Sequence, residues 1–323
     1  MRLLTFNCHE PYVHLLGKLG LPMDVIDGLP GRDVSHWDER MRPVPASARL
    51  IRLEDALGAP RYDVAIAHNL TDLLALRSLA LPKILVLHVD LRARVREEPG
   101  PHDVPQMRRQ LREYLGAIGA LAVAVSKTKA ESWGQDCPVI APGADPDEYC
   151  GYDGSRAVAL RVANQVLART ERLGWDAHLA IVAGHPTALV GRNPGLEGVE
   201  AASCWDDLRQ RYREHRAYVH TAGIGLDDGY NLGVVEAMMT GMPIVSLALP
   251  ESPISDGDGG YVSHDVAYLN ARLGELLRDR DAARALGSRA RERAVELFSI
   301  SVFVQRWHDA IELAHGTFAR AAG

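Results

Sequence analysis

The sequence predicts an α/β protein with two domains, each built on a parallel sheet. Short apolar segments of strand length alternate with stretches of helical periodicity along the chain, and such strands are typical of a parallel sheet that helices cover on both faces. A length of 323 residues fits two domains of about 150 residues each. A segment rich in Pro and Gly near the middle, Pro138 to Tyr149, indicates where the chain passes from one domain to the other.

The first half of the chain contains six predicted strands with helices between them. Each strand is a short run of mainly apolar residues. The strands are Leu3 to Cys8, Met23 to Leu29, Arg49 to Leu53, Asp63 to His68, Lys83 to His88 and Ala120 to Ser126. The helical patterns run from Tyr12 to Leu19, from Thr71 to Leu79 and from Gln106 to Ile118, and a short helical segment follows Ser126.

The second half repeats this alternation and ends in helices. The predicted strands are Ala157 to Ala163, His178 to Ala183, Ala217 to Thr221, Pro243 to Ala248 and Gly259 to Ser263. The predicted helices are Gln165 to Leu173, Trp205 to His215, Leu232 to Thr240, Val266 to Leu277, Asp281 to Leu297 and Val302 to Ala319.

The composition is that of an ordinary globular protein, with 47% apolar and 24% charged residues. A net charge of −6 argues against a nucleic-acid surface. The four cysteines contain no C-x-x-C pair, which favours reduced thiols. No run reaches the roughly 18 apolar residues of a transmembrane helix. These features predict a cytoplasmic protein, and peripheral contact with the inner membrane surface stays open.

Two carboxylates surround the start of one predicted helix. Asp228 precedes Gly229, and Glu236 lies eight positions further on, in the helix that Gly241 and Pro243 end. In a strand, loop, helix, strand unit, the helix N-terminus lies at the carboxyl edge of the sheet and attracts phosphate. Carboxylates beside a phosphate are repulsive unless they bind hydroxyls. A nucleotide sugar offers both groups, whereas the alternative is a pair of solvated acids in an ordinary turn.

This segment resembles the E-x7-E region of retaining glycosyltransferases of family four, in which Glu-Ala-Met and Gly-x-Pro follow an aromatic-containing loop. The chain keeps the aromatic Tyr230, Leu232 and Glu236 and replaces the first acid of the family by Asp228. The linker is similar too, through Gly143 and Asp145. The resemblance implies a GT-B arrangement of two Rossmann-like domains whose parallel sheets face an interdomain cleft. The expected domains are residues 1–142 and 143–305, with 306–323 as a helix that crosses back.

The resemblance also implies the roles of the residues in this segment. Glu236 would accept hydrogen bonds from ribose hydroxyls, and Asp228 would hold hydroxyls of the donor sugar. The backbone N–H groups from Asn231 to Gly233 would hold the diphosphate or the sugar. The expected donor-binding residues of the motif are Gly229, Tyr230, Asn231, Leu232, Gly233 and Glu236.

Negative charge that develops on the leaving diphosphate needs a cation. The family has an Arg and Lys pair after the first strand of the second domain, and this chain lacks the G-R-L-x-x-x-K-G pattern. Arg161 on the predicted strand, with Arg169 and Arg172 beyond it, are the candidates, and Arg192 is a further contender. Each of them could instead be a surface arginine.

Histidines lie at or just after the ends of three predicted strands of the first domain. The family commonly has a histidine at the position of His88, near the transferred sugar. His9 follows the first strand, where it could replace a phosphate contact of the family's Gly-Gly loop. His68 with Asn69 is a weaker candidate after the middle strand. The alternative for each is a structural role.

The expected reaction is metal-independent, retaining transfer of a sugar from a nucleoside diphosphate sugar. Catalytic roles fall to His88, Arg161 and Asp228, and no metal or other cofactor is expected. The acceptor is left open as a small molecule, a lipid-linked molecule or a polysaccharide. Two alternatives remain: an isomerase like the nucleotide-sugar 2-epimerases, and a non-catalytic sugar-nucleotide-binding protein.

Overall fold

The computed structural model describes residues 1–31, 36–58, 62–98, 100–226 and 229–322. The chain divides into two compact units. The first consists of Met1–Pro142 and Ile300–Gly323, and the second consists of Gly143–Ser299. The first boundary falls between residues 142 and 143, and the C-terminal helix joins the first unit from Ile300 rather than from 306.

The first unit is a parallel sheet of six strands that helices cover. Its strands are β1 (Leu3–Phe6), β2 (Met23–Ile26), β3 (Ala48–Ile51), β4 (Val64–Ala67), β5 (Lys83–Leu87) and β6 (Leu121–Ala124), in the spatial order β3-β2-β1-β4-β5-β6. Its helices are α1 (Glu10–Leu16, continued by a 3-10 turn over Gly17–Leu19), α2 (Leu53–Gly58), α3 (Leu70–Ala75), α4 (Leu91–Glu97), α5 (Val104–Ile118), α6 (Lys127–Trp133) and α12 (Ile300–Ala322).

The core of this unit follows from the apolar strands. All residues of β1, β4 and β5 are buried, as expected for central strands of a sheet with two covered faces. Helix α5 is capped at its start by Asp103, whose side chain accepts from the N–H of Gln106, and at its end by Gly119 with φ +61°. A Cβ at Gly119 would lie 2.9 Å from the Cα of Phe318, so the position requires glycine on two grounds.

The second unit has its own six-stranded sheet, and the strands that form its ladders run parallel. The strands are β7 (Arg156–Val162), β8 (Thr187–Val190), β9 (His215–His220), β10 (Ile244–Leu247), β11 (Ser255–Asp256) and β12 (Gly259–Ser263), in the order β11-β12-β10-β9-β7-β8. The helices are α7 (Trp175–Ile181), α8 (Trp205–Glu214), α9 (Leu232–Thr240), α10 (Val266–Arg278) and α11 (Arg280–Phe298). The two α/β units with parallel sheets confirm the predicted fold class.

The segment between β7 and β9 differs from the prediction. Residues 165–173, predicted as a helix, form turns, and 178–183, predicted as a strand, lies largely in helix α7. The buried residues of α7 are Trp175, His178 and Ile181, three positions apart as on one face of a helix. The short apolar run within 178–183 has the composition of a strand, so this helical spacing is not apparent from the sequence. The true edge strand, β8, buries only Val190 and therefore carries a weak apolar signal.

The sequence prediction also missed two short helices of the first unit. They are α2, which buries only Ala56, and α4, which buries Leu91 and Ala93. Neither has an apolar stripe long enough to reveal a helical period. The two-residue strand β11 was not predicted either. The remaining helices and strands were predicted to within a few residues of their ends.

Candidate functional site

Helix α9 is positioned by its cap at the carboxyl end of β9. The side chain of Asn231 accepts hydrogen bonds from the N–H of Gly233 at 2.9 Å and of Val234 at 3.4 Å, which is the usual geometry of an N-cap. Two of the N–H groups at this helix terminus are therefore engaged by the chain itself. An anion that binds them must displace the Asn231 side chain.

The glycines and the aromatic residue of the motif pack tightly. A Cβ at Gly233 would lie 2.6 Å from the hydroxyl of Tyr218, and Gly229 has φ +59°. The ring of Tyr230 meets Phe298 edge to face, with centroids 5.1 Å apart. These contacts give Gly233 and Tyr230 packing roles in the second unit. Asp228, predicted to hold the donor sugar, lies outside the described residues.

Glu236 is the acceptor of a buried hydrogen-bond network. The hydroxyl of Tyr149 donates to Oε1 at 2.7 Å, and the hydroxyl of Tyr212 donates to Oε2 at 3.2 Å. The indole of Trp205 donates in turn to the hydroxyl of Tyr149 at 3.2 Å. Glu236 itself is only 6% exposed. The sequence identified Glu236 but not its partners, because helix α8 and the linker supply them from distant positions in the chain.

Arg161 is buried at the carboxyl half of β7. Its guanidinium donates to the hydroxyl of Thr221 and, at 2.7 Å, to the carbonyl of Leu173, and it lies 5.7 Å from the ring centroid of Trp175. Burial lowers the pKa of Arg161 to about 10, so the group stays charged at neutral pH. The alternative that Arg161 is a surface arginine is wrong, since it is 3% exposed.

A cavity of about 230 Å³ brings several predicted residues together. Its lining includes Arg161, Arg169, Arg172, Asn164, His220 and Asn231. The turns over 165–173 present Arg169 and Arg172, both partly buried, and this placement could not be anticipated while the segment was predicted as a helix. Gly174, with φ +57°, then starts α7. The pocket is therefore lined by three arginines and by the N-cap residue of helix α9.

Arg192 and Glu236 take other positions. The backbone N–H of Arg192 donates to the side chain of Asn164 at 2.8 Å, so this residue contributes to the turn that holds Asn164. Glu236 belongs to the tyrosine network instead of the arginine-lined pocket. The structure therefore separates the predicted site residues of the second unit into two clusters, one cationic and one built on a carboxylate.

In the first unit, the histidines that follow the strands form a cluster. His68 Nδ1 lies 2.9 Å from His88 Nε2, and the ring of His9 lies 4.8 Å from that of His88. Burial holds the pKa of His88 well below its usual range, and positive charge at His9, His68 and Lys129 acts in the same direction. His88 is therefore neutral at pH 7. The prediction ranked His68 below the others, and the structure places it at the centre of the cluster.

Within the described ranges, no group of three or more His, Cys, Asp or Glu residues could hold a metal ion. The four cysteines all lie in described segments and form no disulfide. In the part of the chain that the structure covers, no helix combines the length and apolarity needed to span a bilayer.

The chain is similar in fold to solved glycosyltransferase structures. HepE of Anabaena, solved in complex with UDP and glucose, superposes with a TM-score of 0.72 at 15% identity, over 97% of this chain and 99% of that one. A sucrose-phosphate synthase from Thermosynechococcus elongatus gives a TM-score of 0.70 at 15% identity, over 96% and 98% of the two chains. At this identity the likeness establishes the fold, which is GT-B.

Relatives with similar sequences match a much shorter part of this chain than the solved structures do. An MMP alpha-(1->4)-mannosyltransferase of Mycolicibacterium hassiacum is 44% identical over 79 residues, which is 23% of this chain and 19% of that protein. The chain thus spans about a fifth of that relative's length. The family model for glycosyl transferases group 1 matches residues 153–279, which is most of the second unit. The resemblance that the motif predicted is confirmed, because this segment of the chain is similar to the glycosyl transferases of group 1.

Proposed function

We propose that this protein transfers a sugar from a nucleoside diphosphate sugar to an acceptor, with retention of anomeric configuration and without a metal ion. The observation that carries the proposal is the cavity in which Arg161, Arg169 and Arg172 meet the N-cap of helix α9. Several guanidinium groups beside a helix N-terminus favour a multiply charged anion. A diphosphate is the anion that the donor of this family supplies.

The size of the cavity indicates that it holds only one part of the donor and that other residues bind the rest. About 230 Å³ is less than the roughly 300–1,000 Å³ of pockets that enclose a whole drug-sized ligand. We therefore assign the diphosphate to this pocket. The ribose hydroxyls go to Glu236, and the sugar goes to Asp228 as the motif predicted. Glu236 can reach the ribose only if one of its tyrosine partners moves or shares the carboxylate, which has four lone-pair sites.

The chemistry follows from the charge of the leaving group. The bond between the anomeric carbon and the phosphate oxygen breaks, and a bond from the same carbon to the acceptor oxygen forms on the same face of the sugar. The proton of the acceptor hydroxyl passes to the departing phosphate oxygen. The arginines stabilise the negative charge that grows on the diphosphate, and groups that are already in place gain most where charge develops.

A screen of donors by thermal shift tests binding first. UDP-, GDP-, ADP- and dTDP-sugars are the probes, and the UDP complex of HepE makes the UDP-sugars the first choice. A ligand at 100 times its Kd adds about 2.7 kcal/mol to the stability of the folded state. For a unit of this size that is a rise of about 5–10 °C in Tm. No rise with any sugar nucleotide would contradict the proposal.

A matched pair of arginine variants then tests the pocket. Arg172→Gln removes a cation from the cavity, and Arg293→Gln removes one from an exposed position of α11 with a single Glu296 partner. A lost hydrogen bond to a charged group costs about 1.5–3 kcal/mol, so Arg172→Gln should raise the Kd of the donor by roughly 10- to 150-fold. Arg293→Gln should leave it unchanged. Equal effects of both variants would reject the pocket as the diphosphate site.

Turnover separates the transferase from its two alternatives. NMR of a donor incubated without acceptor reports a converted sugar if the protein is an epimerase, and binding without any product indicates a non-catalytic protein. With an accepted substrate, the coupling constant of the new anomeric proton shows whether configuration is retained. Activity that survives EDTA supports a reaction without metal.

A further inference from the structure

Three polar side chains of the first unit form a hydrogen-bonded row across adjacent strands. Thr5 lies in β1, His68 directly follows β4, and His88 directly follows β5, and these three strands are neighbours in the sheet. Thr5 Oγ1 lies 2.9 Å from His68 Nε2, and His68 Nδ1 lies 2.9 Å from His88 Nε2. Thr5 is fully buried and His68 is 3% exposed, so water does not compete for these bonds.

A carbonyl beside Thr5 bears on the direction of the first bond. Thr5 Oγ1 also lies 3.1 Å from the carbonyl oxygen of Ile66. A carbonyl can only accept and a hydroxyl has one proton. A Thr5 hydroxyl that donates to Ile66 therefore accepts at its contact with His68, and His68 then carries its proton on Nε2.

The same reasoning fixes the next ring. With both rings neutral, His68 Nδ1 has a lone pair and no proton. It therefore accepts from His88, whose proton lies on Nε2. The nitrogen left on His88 is Nδ1, which bears a lone pair. Burial, the largest cause of the lowered pKa of His88, keeps the ring neutral, so Nδ1 can act only as an acceptor.

We propose that Thr5 and His68 are positioning residues that hold His88 in the Nε2–H tautomer, so that His88 Nδ1 accepts a hydrogen bond from a substrate hydroxyl. His88 and His68 line a cavity of about 320 Å³ in the first unit. The rings of His9 and Tyr12 lie 4.8 and 4.7 Å from that of His88 and restrict its rotation. That the hydroxyl belongs to a sugar donor or acceptor rests on the proposed function, but the tautomer does not.

The tautomer can be measured in the full-length protein without any ligand. Two-bond ¹H–¹⁵N spectra of protein labelled with ¹⁵N-histidine distinguish Nε2–H, Nδ1–H and doubly protonated rings. His68→Asn and His88→Asn variants assign the signals. We expect Nε2–H for both His68 and His88 at pH 7. An Nδ1–H tautomer of His88, or a doubly protonated His68, would overturn the proposal.

Paired variants test the role of each positioning residue. Thr5→Val removes the acceptor at nearly constant volume, and Thr5→Ser keeps the hydroxyl. His68→Leu removes the acceptor for His88 Nε2–H, whereas His68→Asn places its amide oxygen near the position of Nδ1. We expect Thr5→Val and His68→Leu to change the tautomer populations of His88 and to raise the KM or Kd of the hydroxyl-bearing substrate by roughly 2- to 10-fold. Thr5→Ser and His68→Asn should preserve the Nε2–H signal and lie closer to the wild-type affinity.

The outcomes separate this proposal from the proposed function. The predicted tautomers in a protein that binds no sugar nucleotide would reject the proposed function and leave the positioning by Thr5 and His68 intact. Normal donor binding with an Nδ1–H tautomer of His88 would reject the positioning alone. If Thr5→Val and Thr5→Ser give the same tautomer populations, the hydroxyl of Thr5 does not set the direction of the row.

Discussion

The buried carboxylate of Glu236 makes a sharp prediction about two tyrosine hydroxyls. Tyr149→Phe leaves two groups without their observed partner, Glu236 Oε1 and the indole N–H of Trp205. Tyr212→Phe removes the observed hydrogen bond to Glu236 Oε2. The bond from Tyr149 is also the shorter, at 2.7 Å against 3.2 Å. Tyr149→Phe should therefore destabilise the second unit more than Tyr212→Phe.

The magnitudes follow from the types of bond that are lost. A hydrogen bond to a charged acceptor contributes about 1.5–3 kcal/mol and a neutral one about 0.5–1.5 kcal/mol. Tyr149→Phe should thus cost about 2–4 kcal/mol and Tyr212→Phe about 1.5–3 kcal/mol. For a unit of this size each kcal/mol lowers Tm by about 2–4 °C. The two losses will not add, because both hydroxyls contact one carboxylate.

Calorimetry or urea unfolding followed by tryptophan fluorescence measures these losses, and Trp205 is itself a member of the network. Tyr268→Phe is the matched control, since its hydroxyl donates to the carboxylate of Asp256 at an exposed site. That variant should change stability by less than about 0.5 kcal/mol. A larger loss for Tyr212→Phe than for Tyr149→Phe would refute the reasoning, and so would three equal losses.

Three further changes have defined outcomes. Asn231→Ala removes the cap of α9 and should cost about 1 kcal/mol in urea unfolding, whereas Asn231→Asp keeps the acceptor and most of the stability. Gly233→Ala puts a methyl group 2.6 Å from the Tyr218 hydroxyl and should cost about 1–3 kcal/mol by overpacking. Burial, with nearby Arg161, lowers the pKa of His178 to about 3, so between pH 6.5 and 4 the unfolded state binds a proton that the folded state does not. The free energy of unfolding should therefore decrease as the pH is lowered through this range, by up to about 1.4 kcal/mol per pH unit, and His178→Phe should remove this share of the slope.

The sequence predicts structure best where local chemistry and tertiary packing agree. Helix α9 begins at Leu232 and ends at Thr240, as predicted, because Asn231 caps one end and Gly241 ends the other. The segments 165–173 and 178–183 were predicted wrongly, the second because its apolar run has strand composition while its buried residues recur with helical spacing. Helix α7 follows a glycine with φ +57° at position 174, and this backbone angle is not visible in the sequence.

Site residues could be predicted only as far as a motif or a strand end identifies them. Glu236 and His88 were predicted as site residues in this way. Their partners were not, since Tyr149 reaches Glu236 across 87 positions and His68 reaches His88 across 20. Such contacts depend on the order of strands in the sheet and on helix packing. Single-residue propensities carry no information on strand order or on helix packing.

The arginines of the second unit differ in what a mutation at each of them can reveal. Arg161 donates to Thr221 and to the carbonyl of Leu173, and Leu173 adjoins Arg172 in the turn that lines the cavity. Replacing Arg161 removes the charged donor of that carbonyl, which still accepts from the Thr221 hydroxyl at 2.7 Å, and so weakens the turn from which Arg169 and Arg172 line the pocket. A loss of donor binding in an Arg161 variant would thus combine a missing charge with two displaced ones. Arg172 is the more direct test of the pocket, because Arg161 is then still present to hold the turn.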